Sequence, residues 1–106
     1  MTDDITYGGV NTVKQKLPMV ELLAGLAEEA SELAQAALKL RRVMDGRNPT
    51  PKTHEQAMME LTEEIADVKL YVSLLDVDPR AVSEIMKHKL MRWEERLMKQ
   101  EEQKDG

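Results

Sequence analysis

The sequence predicts an all-α protein in which three main helices form a helical bundle. Apolar residues recur three and four positions apart along most of the chain, the periodicity of helices with one buried face. No β-type alternation, internal repeat or low-complexity tract interrupts this pattern. A single domain over residues 1–106 is therefore predicted, with loose termini at about 1–10 and 101–106.

The first helix is predicted from about Leu17 or Pro18 to about Met44. Proline is tolerated in the first turn of a helix, and the Asp45-Gly46 pair is a typical stop. A linker, DGRNPTPK (45–52), follows, and the sequence leaves its role open. The apolar stripe of this helix contains Leu22, Leu26, Ala30, Leu33, Ala37 and Leu40.

Two further helices are predicted from their start signals. Thr53 and Gln56 match a capping box that opens a second helix from about His54 to Leu75. Asp78 and Pro79 supply an N-cap and a first-turn proline for a third helix that ends near Gln100. The second apolar stripe contains Met58, Leu61, Ile65, Val68, Val72 and Leu75, and the third contains Val82, Ile85, Met86, Trp93 and Leu97.

Composition excludes several classes of function. A net charge of −5 and a pI near 5.1 argue against binding to polymeric nucleic acid or to an anionic membrane surface, since both need a basic footprint. The absence of cysteine excludes disulfides, thiolate metal ligands and a thiol nucleophile. The first residues lack the features of a signal peptide, and no apolar run is long enough for a membrane span. We therefore expect a soluble cytoplasmic protein.

Two acidic pairs stand at helical spacing. Glu29 and Glu32 lie along one edge of the first apolar stripe, whereas Glu28 points away from it. Glu64 and Asp67 lie along an edge of the second stripe. Residues three apart on a helix are neighbours, so each pair can direct its oxygens to one point. Uniting four carboxylates would be costly without a cation, and Mg²⁺ prefers such oxygen ligands. The alternative is that these acids are solvated helix faces.

The third predicted helix contributes basic residues on and beside its apolar stripe. Lys89 falls within its apolar stripe, and Arg92 and Arg96 flank that stripe. Arginine suits bidentate contact with phosphate oxygens, and lysine acts as a point charge. These cations either clamp phosphate groups or pair with nearby glutamates.

At these residues the chain resembles the MazG-like nucleotide pyrophosphohydrolases, an all-α NTP pyrophosphatase superfamily whose hallmark is EExxE followed by ExxD. The matching segments are EEASE (28–32) and EIAD (64–67), and the gap between them is on the long side. The resemblance covers roughly residues 22–96 and includes the order of the helices. KLMRWEER (89–96) resembles the family's third-helix phosphate-binding segment.

The resemblance implies a Mg²⁺-dependent enzyme, with Mn²⁺ as a substitute, that cleaves NTP or dNTP between the α and β phosphates. Such an enzyme acts in nucleotide-pool house-cleaning. The implied metal ligands are Glu29, Glu32, Glu64 and Asp67. Glu32 or Glu29 would orient or deprotonate the attacking water. The cations that would neutralise the leaving pyrophosphate are Lys89, Arg92 and Arg96.

Two aromatic residues are candidate contacts to the base or ribose. Tyr71 is aligned with the acids of the second helix. Trp93 either stacks on a base or packs in the core, which is the commoner role for a tryptophan in an apolar stripe. The sequence does not fix base or sugar preference.

Assembly is expected because three helices of this length bury their faces poorly alone. Leu70 and Leu74 are predicted to point away from the main stripe of the second helix and to leave apolar surface. The resemblance implies homodimers, sometimes paired into tetramers, with a four-helix core built from two chains. Two other functions stay open: a phosphoribosyl-ATP pyrophosphohydrolase-like enzyme, and a non-catalytic helical interaction module.

Overall fold

The computed structural model describes residues 8–46 and 51–105, and over these residues the prediction of an all-α fold is confirmed. Four helices follow one another: α1 (Gly8–Lys16), α2 (Met19–Asp45), α3 (His54–Leu74) and α4 (Pro79–Asp105). The chain divides into two compact units, residues 1–76 and 77–106. None of the helices in the described ranges has the length and apolar character that crossing a bilayer would require.

The predicted start and stop signals act as expected. Gly46 has a left-handed φ of 74°, and its N–H donates to the Arg42 carbonyl at the end of α2. At the start of α3, the Thr53 Oγ1 accepts from the Gln56 N–H at 3.1 Å, and the Gln56 Oε1 accepts from the Thr53 N–H at 3.0 Å. The Asp78 carboxylate accepts from the Arg80 N–H at the start of α4. The Gly46 cap and the Thr53 capping box stand at the two ends of the linker, whose residues 47–50 lie outside the described part.

The chain ends differ from the expectation. Helix α1 was not predicted, because its Gly-Gly start has low helix propensity. Val10 and Val13 of α1 pack against the core of the first unit, so tertiary contact compensates for weak propensity. Helix α4 continues to Asp105, past the predicted end near Gln100. Loose termini were predicted at about 1–10 and 101–106: residues 8–10 and 101–105 are helical, and residues 1–7 and 106 fall outside the described ranges.

Helices α2 and α3 pack along their length and form the main body of the first unit. Both are rotated relative to the predicted stripes. Ala36 and Ala57 are buried, whereas Ala30 and Ala37, which were predicted to face the core, are exposed. The exposed large residues of the predicted α3 stripe are Met58, Ile65 and Val72. Small side chains therefore mark the face where the two helices approach.

One end of the α2–α3 pair holds the hydrophobic cluster of the first unit. Its buried members are Leu22, Leu74 and Leu75, against which Leu26 and Tyr71 pack. The expectation that Leu74 leaves apolar surface is wrong, since Leu74 is only 6% exposed. Leu70 is 42% exposed, as predicted. The rotation of α3 explains this difference, because it turns Leu74 toward α2.

Gly25 allows a close approach between α2 and Tyr71. A Cβ at Gly25 would lie 2.3–2.6 Å from three atoms of the Tyr71 ring end, including the hydroxyl oxygen. Real atoms do not approach so closely, so any side chain at this position must displace the ring. The absence of a side chain at Gly25 therefore determines where the Tyr71 ring of α3 packs against α2.

We expect Gly25→Ala to lower the free energy of unfolding by about 1–3 kcal/mol, because overpacking outweighs the better helix propensity of alanine. Urea denaturation would measure the change. The control is the double variant Gly25→Ala/Tyr71→Leu, in which the shortened side chain makes room and most of the loss should disappear. A Gly25→Ala variant more stable than wild type would contradict this packing.

The second unit consists mainly of α4. Every side chain described in this helix is exposed, including the large apolar residues. Trp93 is 58% exposed and Leu90 is 64% exposed. The apolar stripe predicted for this helix is thus present but uncovered within its own unit.

Candidate metal centre

Three of the four predicted carboxylates converge where α2 and α3 pack together. Glu29 on α2 and Glu64 and Asp67 on α3 each offer one oxygen, and these oxygens lie within 4.8 Å of one another. Glu32 is close enough that its charge acts on both Glu29 and Glu64. We call these four residues the acidic cluster.

Glu29 and Glu64 lie in the packed face of the two helices, whereas Glu32 is exposed beside them. Glu29 and Glu64 are both half-buried, and each follows the apolar residue of the preceding turn on its helix, Leu26 and Leu61. One oxygen of each, Oε2, is shielded from solvent and has no hydrogen-bond partner among the described residues. Shielded oxygens without partners are unfavourable in a folded protein, so each calls for a ligand or a proton.

The pKa values of the acidic cluster also indicate that these carboxyl groups need a proton or a cation. Burial, followed by a hydrogen bond to Glu32 and the charges of the other acids, raises the pKa of Glu29 from 4.5 to about 7. Burial and the charges of Glu32 and Asp67 raise the pKa of Glu64, and a hydrogen bond with Glu29 partly offsets this rise. Without a cation, the cluster therefore retains protons that isolated carboxyl groups would lose.

The donor set fits a hard divalent cation. Mg²⁺ takes oxygen ligands at about 2.1 Å, so two oxygens on one ion lie roughly 3–4 Å apart. The converging oxygens need to move only slightly to reach that spacing, and carboxylates that repel one another should close when a cation neutralises them. The residues that would hold the ion are Glu29, Glu64 and Asp67, with Glu32 beside them.

Next to the acidic cluster, a cleft of about 230 Å³ runs between α2 and α3. The two helices are antiparallel, because Glu29 lies by Asp67 whereas Lys39 acts on Glu60. Glu60 is paired with Lys52, and this hydrogen bond lowers the pKa of Glu60. The residues lining the cleft are Glu32, Gln35, Ala36, Lys39, Glu60, Glu63 and Glu64.

The remaining predicted site residues are the three cations, the tryptophan and the tyrosine. Lys89, Arg92 and Arg96 lie in the second unit and are exposed, as is Trp93. Tyr71 stands one turn after Asp67 on α3, half-buried against the hydrophobic cluster. Helix α4 thus carries the predicted cations on a unit separate from the acidic cluster.

Lys39 was missed by the sequence reasoning, although a signal was present. It follows Glu32 by two helical turns and Ala36 by three residues, so these positions share one face of α2. The prediction assigned the phosphate-binding cations to the third helix alone and did not consider Lys39. The shared face of Glu32 and Lys39 was the signal that could have identified it.

The arrangement can bind a divalent cation between two antiparallel helices, with a cleft beside it that contains a lysine. Such a centre suits the binding of a phosphorylated substrate through the metal. In comparisons with known proteins, no family model, no curated protein and no solved structure matches this chain.

Proposed function

We propose that the protein is a Mg²⁺-dependent nucleoside triphosphate pyrophosphohydrolase. The observation that carries this proposal is the pair of shielded, unpartnered carboxylate oxygens of Glu29 and Glu64, which meet across two helices. Retaining like charges in such a place lowers stability unless a cation binds there. The order EExxE then ExxD, as in MazG-like enzymes, supports the same reading. Such an enzyme would serve nucleotide-pool house-cleaning in the cytoplasm.

In this proposal the acidic cluster holds the metal. Bound Mg²⁺, or Mn²⁺ in its place, would supply charge neutralisation for the triphosphate and acidify a water molecule. Glu29, Glu64 and Asp67 provide the converging oxygens. Glu32 lines the neighbouring cleft, where its carboxylate can accept a proton from the attacking water.

The cations of α4 are proposed to contact phosphate groups. Lys89, Arg92 and Arg96 are spaced three and four residues apart, so they share one face of the helix. All three are exposed and thus available to an anionic ligand. Tyr71 and Trp93 remain the proposed contacts to the base or ribose, and the packing of Tyr71 on Gly25 would hold its ring in one position.

The assay that tests the proposal is pyrophosphate release from standard, deoxy and modified nucleoside triphosphates, with Mg²⁺ and with EDTA. We expect release with Mg²⁺ and none with EDTA. Phosphoribosyl-ATP belongs in the same panel, since a strict pathway enzyme should cleave it and ignore free dNTPs. If no compound is cleaved and Mg²⁺ does not raise the melting temperature, the non-catalytic module is favoured.

We also propose that the protein works as a homodimer or tetramer. The exposed residues Met58, Ile65 and Val72 recur every seven positions on α3, next to the half-buried Leu61 and Val68. A repeat of seven is the pattern by which one helix packs against another. A second copy that covers this stripe would complete a four-helix core.

Ile65→Glu should therefore reduce the molar mass measured by light scattering, because a charge would be buried at the interface. Ile65 is 43% exposed, so the variant should keep its helical circular dichroism. The matched control is Met59→Glu on another face of α3, where Met59 is 60% exposed and the mass should not change. Equal masses for wild type and Ile65→Glu would refute this interface.

A further inference from the structure

Lys39 lies in the cleft beside the acidic cluster. It is half-buried on α2, one turn after the buried Ala36, and it lines the same cleft as Glu32 and Glu64. A lysine gives up side-chain freedom and hydration when it is held in a cleft, so its position needs a compensating interaction.

The carboxylate on which the charge of Lys39 acts is already paired with another lysine. Lys39 acts electrostatically on Glu60, but the ion pair of Glu60 is formed with Lys52 from the segment before α3. Within residues 8–46 and 51–105, no hydrogen bond or ion pair engages the Lys39 ammonium group. Lys39 therefore retains three donors in a cleft that opens next to the acidic cluster.

The charge of Lys39 acts on Glu60 in the structure, and the geometry of α2 allows the same side chain to extend toward the acidic cluster. Side chains on a helix tilt toward its N-terminus, so the Lys39 stem leads back toward the turns that carry Ala36 and Glu32. Lys39 and Glu32 are seven residues apart, which corresponds to a rise of roughly 10 Å along the axis. The extended lysine side chain covers much of this distance. A ligand of a few ångströms can thus touch both ends.

We infer that Lys39 binds a phosphate oxygen of a polyphosphate chain that extends along the α2–α3 cleft from the acidic cluster. This inference rests on the proposed function and names a cation in the same unit as the carboxylates. The ligand class is a pyrophosphate or triphosphate group. Such a group is long enough to contact a metal at the acidic cluster and Lys39 in the same cleft. The cleft also contains Glu60 and Glu63, so binding requires Mg²⁺ to offset their repulsion of the ligand.

The test is the affinity for inorganic pyrophosphate in the presence of Mg²⁺, measured by isothermal titration calorimetry. We expect Lys39→Met to weaken binding roughly tenfold or more, the scale of a lost charge-assisted hydrogen bond. Lys39→Arg, which keeps the charge, should stay close to wild type. The matched control is Lys69→Met, which removes an exposed lysine of α3 and should leave the affinity unchanged.

A second measurement uses the wild-type protein and does not depend on how a variant folds. Pyrophosphate with Mg²⁺ should slow the acetylation of Lys39, detected by mass spectrometry, while the acetylation of Lys69 continues at the same rate. The rise in melting temperature caused by Mg²⁺ alone should be the same in Lys39→Met and in wild type, because the acidic cluster is intact.

The outcomes separate this inference from the proposed function. Equal pyrophosphate affinities for Lys39→Met and Lys69→Met, or no protection of Lys39, would overturn the inference even if nucleotides are hydrolysed. Absence of pyrophosphate binding by wild type would also overturn it. Lys39-dependent pyrophosphate binding without cleavage of any nucleotide would support the inference and remove the proposed enzymatic activity.

Discussion

Glu64→Gln should reduce Mg²⁺-dependent pyrophosphate release by roughly a hundredfold or more, since removing a ligand costs at least as much as removing its supporting partner. Glutamine keeps the shape of the side chain but removes the charge that would hold the metal. The shielded Oε2 of Glu64 has no hydrogen-bond partner in the described structure, so the loss should appear in metal binding. Release assays over a range of Mg²⁺ concentrations would show both the lower rate and the weaker metal dependence.

The control for this experiment is Glu28→Gln, which removes the same charge from an exposed position of α2. It should retain the turnover of wild type. The metal-free Glu64→Gln protein should be at least as stable as wild type, because one of several repelling carboxylates is gone. If Glu28→Gln were inactive and Glu64→Gln fully active, the assignment of the metal ligands would be wrong.

The second large effect is expected in how stability and Mg²⁺ affinity change with pH. The pKa of Glu29 is about 7 in the folded, metal-free protein and ordinarily 4.5. Between these values the folded state binds more protons than the unfolded state, so the contribution of Glu29 to stability falls as pH rises through this window. Binding of the proposed metal would displace the retained proton, so Mg²⁺ affinity should rise up to about tenfold per pH unit below pH 7 and level off above it.

Melting temperatures in EDTA and in Mg²⁺, taken from pH 5 to pH 8, would measure both trends. The informative quantity is the difference between wild type and Glu29→Gln, because other groups titrate in both proteins. That difference should shift in favour of Glu29→Gln as pH rises, and Glu28→Gln should parallel wild type. A metal-free difference that is constant over this range would show that the pKa of Glu29 is not raised.

Local sequence signals predicted the helix ends well. The capping box of Thr53 and Gln56, the N-cap Asp78 and the left-handed Gly46 each act through neighbours a few residues away. Such interactions are contained in short stretches of sequence and can be recognised there. Helix α1 escaped prediction because its stability comes from packing against a distant part of the chain.

The orientation of the helices was harder to predict. Large apolar residues weighted the projected stripes toward Ile65 and Val72, whereas the observed contact face passes through Gly25, Ala36 and Ala57. Small residues let backbones approach, and their contribution depends on what lies opposite, which one helix alone does not reveal. The rotation moved Glu29 and Glu64 from the edge of the stripe into the packed face. The acidic pairs predicted from helical spacing do lie close together, since oxygens of Glu29, Glu64 and Asp67 fall within 4.8 Å of one another.

The exposure of α4 has a consequence for how the chain folds. A helix of 27 residues exceeds the length below which isolated helices are marginal in water, and its backbone bonds are local. Such a segment can become helical on the microsecond timescale without waiting for long-range contacts. Pairing α2 with α3 requires contacts between residues far apart in the sequence, so this step should be slower. The like charges of Glu29, Glu64 and Asp67 should oppose it, and a cation bound as proposed would remove that opposition.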